Sequence, residues 1–174
     1  MTAALIDAGH GGYDRGGIAG QRACEKDLAL DVARRLRTIL ENDGLKTVMT
    51  RSDDTFIPLP QRVAIANARR DALFVSIHFN SAIRSSAMGC ETYFYNPTAA
   101  GVAARVQTQL MRVESGENRG VKRRAYYVLR NTRIPAVLAE CGFLTNRNEA
   151  AQCEQPVHRQ DLAKAIATAI EASR

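Results

Sequence analysis

The chain has 174 residues, 45% of them hydrophobic and 24% charged, a size and balance that fit one globular domain and exclude a disordered or fibrous polymer. Lys and Arg outnumber Asp and Glu by 24 to 18, leaving +6, so acidic partners come into view. No apolar run reaches the ~18–20 residues of a membrane span, and MTAALIDAGH shows no basic stretch leading into an apolar one. The chain therefore reads either as not exported by a signal peptide or as a trimmed mature domain.

Ala3–Asp7 reads as a short strand running into a glycine-rich loop, with six glycines from Gly9 to Gly20. From Glu25 to Asp43, Leu28, Val32, Leu36 and Leu40 recur at helical spacing, and Gly44 stands where a C-terminal cap belongs. Lys46–Thr50 reads as a second strand, and Pro60 opens a helix to about Arg70. Ala72–His78 is apolar and too short for a helix, hence a central strand; Cys90–Tyr95 is aromatic and β-prone. Val102, Val106, Leu110 and Val113 mark a helix. Tyr126–Leu129 and Ala136–Glu140 read as two further strands, and Leu162, Ile166 and Ile170 as a closing helix. Strands alternating with helices predict a single α/β domain over residues 1–174. Its core is a twisted, mostly parallel sheet of about six strands with helices on both faces.

In such sheets ligands gather beyond the carboxyl ends of the strands. His10 follows the first strand, His78 ends the third and Glu140 ends the last, so two of three histidines and a carboxylate converge on one rim. Two imidazoles and one carboxylate form a catalytic zinc set with a fourth position free. The carboxylate candidates are Asp7, Asp14, Glu25, Asp27 and Glu140. Glu25 heads the long helix, where the helix dipole favours an acid. Glu140 closes a buried strand, where an acid is costly unless it is paired or working. A dinucleotide loop begun at Gly9 would need glycine where Asp14 stands, so nucleotide binding is discarded. His158 lies far from these motifs and reads as surface. Cys24, Cys90, Cys141 and Cys153 match no metal or redox spacing and read as small buried apolar residues.

IDAGHGG (6–12), the CEKD around Glu25, QRVAIAN (61–67), SIHFN (76–80), RGVK (119–122), YVLRNT (127–132) and PAVLAECGFLTN (135–146) resemble the zinc N-acetylmuramoyl-L-alanine amidases of the Amidase_3 type. The resemblance runs from about Leu5 to Ile170. It implies Zn2+ held by His10, Glu25 and His78, with Glu140 as catalytic base. It also implies cleavage of peptidoglycan between N-acetylmuramic acid and the L-alanine of the stem peptide. Family members that need an activator carry a long helical insertion after the fourth strand. Only Asn96–Ala100 separate that strand from the next helix here, which implies an open site. The substrate implies a place in the periplasm or in the cell wall or extracellular space, and a monomer is expected. Asn80 is a substrate contact by the same resemblance.

Arg130 belongs to a basic stretch with Lys122, Arg123, Arg124 and Arg133 that suits stem carboxylates or simply solvent. With no tryptophan and 6% aromatics, a lectin-like sugar platform is not expected. Nucleic acid is not expected either, because the basic residues are dispersed and no recognition-helix pattern occurs. A wall-binding pseudoenzyme would lack one of the four site residues, all of which are present. The serious alternative is a zinc carboxypeptidase-like peptidoglycan peptidase, which shares the metal chemistry.

Overall fold

Six strands pair into one sheet across the described residues, which are 1–18, 21 and 23–174 of the computed structural model. They are β1 (Ala3–Ala8), β2 (Lys46–Met49), β3 (Ala72–Asn80), β4 (Cys90–Phe94), β5 (Asn118–Arg123) and β6 (Ala136–Phe143). The spatial order is β2-β1-β3-β6-β4-β5, with β4 antiparallel to β6 and the other pairings parallel. The helices are α1 (Glu25–Asn42), α2 (Leu59–Asn67), α3 (Ala100–Leu110), α4 (Tyr127–Asn131), α5 (Arg147–Cys153) and α6 (Pro156–Glu171). Gly20, the last of the six-glycine cluster, lies outside the described residues.

The two-residue period of strands sorts the sheet into two faces. Ile6, Val75, Ile77, Val137 and Ala139 point to one of them. There they meet the apolar stripes of α1 (Leu28, Val32, Leu36, Leu40), α3 (Val106, Leu110) and α6 (Leu162, Ile166, Ile170). Leu5, Phe74, Tyr93 and Leu138 point to the other and pack against Val63 and Ala66 of α2 and Val128 and Leu129 of α4. Helices thus cover both faces. The second covering is incomplete, and the gap is where the polar members of the same rows emerge: Asp7, Ser76, His78, Asn80, Glu91 and Glu140.

Two expectations need correction. Tyr126–Leu129 is not a strand; it opens the one-turn helix α4. Tyrosine and valine are β-formers, and five residues are too few to show a helical period. The strand that fills the place is β5, with sequence NRGVKR, mostly half-exposed at the sheet edge. Charged residues at an edge deter pairing with another chain and leave no apolar alternation to read. The other correction is His158. Its side chain is 14% exposed, and its Nε2 sits 2.8 Å from Oε1 of the buried Glu114. A buried carboxylate requires such a partner, so this histidine is a structural one.

Candidate metal centre and active site

The chain leaves β1 through Gly9 and turns sharply at His10, whose φ of 60° is left-handed, an uncommon conformation for a residue with a side chain and one that gathers at functional sites. The turn swings the imidazole back over the sheet. His10 Nδ1 stands 2.9 Å from Asp14 Oδ2, and Asp14 Oδ1 also accepts the Gly16 N–H at 3.1 Å. A carboxylate in that place favours a proton on Nδ1, the service a carboxylate gives behind histidines that bind metals through the other nitrogen.

That Nε2 lies 3.0 Å from Glu25 Oε1, and His78 Nδ1 lies 2.9 Å from the same oxygen. The two rings meet edge-on, 4.9 Å between centroids. Glu25 is buried at the first turn of α1, where its Oε1 also accepts the Phe79 backbone N–H at 3.1 Å. Burial works to raise the Glu25 carboxyl, but the two imidazoles outweigh it and hold the group at about 2. Burial likewise works to lower His78, and Glu25 outweighs it, raising the imidazole to about 9. One ligand atom from each of His10, Glu25 and His78 falls within 4.8 Å of the others. The three can close on a single cation.

Gly9 makes room for this. A Cβ on it would lie 2.3 Å from His78 Cε1, inside the imidazole ring's own volume. Cys24, which precedes Glu25, is not among the clustered donors of the described residues; it is half-buried and free. Cys90, Cys141 and Cys153 are buried and free, as expected of small apolar residues. Strand alternation explains why Cys141 does not disturb its neighbour: Glu140 faces the site and Cys141 faces the opposite core.

Glu140 stands in register with His78 across β3 and β6. Its Oε2 is buried and meets no hydrogen-bond partner in the protein. Burial pushes its carboxyl up to about 7, with the charges of Glu25 and Glu91 adding to the rise and His78 opposing it. An orphaned carboxylate oxygen that titrates near neutrality is what a proton-transferring group requires. Around these residues opens a cleft of about 680 Å³, walled by Phe56, Ile57, Leu59, Tyr126, Tyr127 and Leu138. Asn80 lines it too. Arg130 is exposed on α4 and does not line it, nor do the other four residues of the basic stretch. The cleft is open, in keeping with the short link from β4 through a single turn at Pro97–Ala99 into α3.

Two residues that the sequence reading did not single out hold the His10 loop from behind. Arg51 donates to the carbonyls of Ala8 (3.0 Å), Gly9 (2.6 Å) and Lys26 (2.8 Å). Arg62 donates to those of Ala8 (2.7 Å), His10 (2.6 Å) and Ile57 (2.8 Å), and to Asp7 Oδ1 at 2.7 Å. Both arginines are 3% exposed. The signal for Arg62 was in the sequence: it shares the apolar face of α2 with Ala66, four residues on, where an arginine has no business unless it is paired. No comparable pattern marks Arg51, which sits in a loop.

Fold and site together define an α/β protein in which a His2Glu cluster able to hold a metal ion lies beside a carboxyl with one buried oxygen, a donor set of the kind found in metal-assisted hydrolases. A family model described as N-acetylmuramoyl-L-alanine amidase matches residues 4–172, and the chain belongs to that family. It is 41% identical over 170 residues to an uncharacterised Bacillus subtilis protein, YqiI, covering 95% of this chain and 82% of that one. It is 39% identical over 166 residues to the Bacillus subtilis N-acetylmuramoyl-L-alanine amidase LytC, covering 93% of this chain but 33% of LytC. Among solved structures, the catalytic domain of the amidase CwlV from Bacillus (Paenibacillus) polymyxa superposes with a TM-score of 0.94. The two are 35% identical over 99% of this chain and 98% of that domain.

Proposed function

We propose that the chain is a single catalytic domain, residues 1–174, that hydrolyses the amide between N-acetylmuramic acid and L-alanine in peptidoglycan. In this reading Zn2+ is held by His10, Glu25 and His78, and Glu140 is the general base. The observation that carries it is the orphaned, buried Oε2 of Glu140 beside three converging metal donors in an open cleft, within a chain of the amidase family. The donor set fits zinc, since two imidazoles and one carboxylate leave a coordination position open. Held there, zinc would supply Lewis acidity, bringing the pKa of water from about 15.7 toward about 7 and polarising a carbonyl.

The protein's own residues do the rest. Asp14 keeps His10 in the tautomer that offers Nε2. Glu140 removes a proton from the attacking water and returns it to the departing alanine nitrogen, so one carboxyl serves as base and then acid. Its carboxyl, raised to about 7 by burial, would be drawn down toward the ionised form needed for the first transfer with a dication held by the neighbouring donors. The apolar wall of Phe56, Leu59 and Tyr126 lowers the polarity on one side of these charges and so strengthens them. Asn80 is the contact for the peptide stem, and Arg130, exposed on α4, is the outer contact for a stem carboxylate. The substrate places the reaction at the cell wall. No helix of the described residues is long and apolar enough to cross a membrane.

The test is mass spectrometry of purified sacculi digested with the protein. Intact free stem peptides beginning with L-alanine are expected. Stems that stay attached and lose only terminal D-alanine would transfer the site to the carboxypeptidase-like reading. A strong chelator should abolish release, and zinc should restore it, with about one metal ion bound per chain. Activity that survives complete removal of metal would overturn the metal assignment.

Gly9→Ala probes the same centre without touching a ligand. The new methyl displaces the His78 ring, and metal affinity measured by chelator competition is expected to fall by about 10–100-fold, the range seen when support for a ligand is lost. Unchanged affinity would mean that His78 does not ligate.

A further inference from the structure

Asn80 closes β3 with its side chain at the cleft, and its amide is held at both ends. Nδ2 donates to Glu91 Oε1 at 2.6 Å, and Oδ1 accepts the Ser81 backbone N–H at 2.9 Å. A carboxylate only accepts and a backbone N–H only donates, so the amide cannot turn over. One Nδ2 proton remains uncommitted. What Asn80 offers an incoming substrate is therefore a donor, with its direction fixed in advance.

Glu91 is the fixing group. It is 3% exposed on β4 and stands opposite Glu140 in the antiparallel register with β6. A second acid beside the catalytic one is costly unless its charge is spent elsewhere. It is spent on Lys122 Nζ and the Tyr93 hydroxyl, which both bond to it, with Arg119 Nε 3.8 Å away. Lys122 and Arg119 belong to β5, the edge strand, so the anchor runs from the sheet edge through Glu91 to the cleft.

We propose that Glu91 is a positioning residue that fixes the Asn80 amide as a hydrogen-bond donor toward an acceptor oxygen of the peptide stem. The identity of that acceptor rests on the amidase reading; the orientation of the amide does not.

Glu91→Gln offers one oxygen where Asn80 and Lys122 each need one. With the zinc-loaded enzyme and a soluble muramyl-peptide, this variant is expected to raise KM by about 5–15-fold, the worth of one hydrogen bond, with a smaller effect on kcat. Asn80→Ala should do the same, and the double variant should be no worse than Asn80→Ala alone. Glu91→Asp keeps a charge for Lys122 while drawing its oxygen back by one methylene. It should give the same non-additive pattern, and it serves if Glu91→Gln does not fold. Effects that multiply in the double variant would overturn the proposal, as would a KM that does not move.

A second readout is independent of turnover. The Asn80 side-chain amide signals, identified in NMR spectra by their loss in Asn80→Ala, are expected to shift and exchange faster with water in either Glu91 variant. Unchanged signals overturn the proposal. A wild-type protein that shows this coupling but releases no stem peptides would instead overturn the amidase reading and leave the hold of Glu91 on Asn80 standing.

Discussion

Glu140→Gln is expected to cut kcat by about 10²–10⁴-fold, the usual contribution of a positioned proton-transfer group, while making the metal-free protein more stable at neutral and alkaline pH. The two effects have one origin. Glu140 sits where an ionised carboxylate is poorly solvated, and its carboxyl is raised from 4.5 to about 7 in the folded chain. The unfolded chain ionises that group near 4.5, so between there and 7 the unfolded state sheds a proton that the native state keeps. Stability therefore falls as pH rises through that window, by on the order of 3 kcal/mol once it is passed. Glutamine has the same shape and no charge to desolvate. Thermal unfolding of the metal-free pair should coincide near pH 4 and separate above pH 7, the variant being the more stable. Undiminished stem release from sacculi by the variant would remove Glu140 from the mechanism.

Arg62→Met is expected to destabilise by about 3–5 kcal/mol, the cost of stranding one partner of a buried ion pair. Asp7 is 1% exposed. Without Arg62 it keeps only the hydroxyls of Thr50 (2.7 Å) and Ser76 (2.6 Å), while the carbonyls of His10 and Ile57 lose this donor and that of Ala8 keeps only Arg51. Burial works to raise the Asp7 carboxyl, but Arg62, aided by the two hydroxyls, holds it below its ordinary value. A depressed carboxyl contributes stability above its unfolded pKa of about 3.9, and that stability is lost as pH falls through the lower folded value. With the guanidinium gone, burial prevails and the sign reverses, so protonating Asp7 relieves the variant. Chemical denaturation should show the gap between wild type and Arg62→Met narrowing toward acid, and Asp7→Asn added to Arg62→Met should recover part of the loss. A loss below about 1 kcal/mol, or one independent of pH, would mean that the pair does not carry the loop.

What the sequence revealed and what it hid divide along physical lines. Patterns of one strand or one helix were legible. The apolar run before His78 is a central strand, the stripe from Leu28 to Leu40 buries one side of α1, and the period of two puts His78 and Glu140 on a common face. The candidate site was legible because His10, His78 and Glu140 sit at or near the carboxyl ends of strands and Glu25 heads α1. Elements without a periodic apolar signature were not: β5 is polar and lies at the sheet edge, and α4 is a single turn. Pairings distant in the chain were equally silent. Nothing near His158 announces Glu114, forty-four residues away, and nothing near Arg51 announces the carbonyl of Gly9. Arg123 stacks on Tyr95 and Lys122 is taken up by Glu91, so part of the basic stretch serves the sheet edge rather than a ligand.

The grip of Arg51 and Arg62 on the carbonyls of Ala8, Gly9 and His10 has a consequence for variation. Main-chain oxygens are the same whatever residue carries them, so this anchorage is blind to side-chain identity. Tyr13 and Ile18, both largely outside the interior, are free to drift or be redesigned toward new wall chemistries while the histidine stays where it is. Tolerance of change on the outside of that turn and intolerance at the two arginines beneath it are the paired expectations of one mooring.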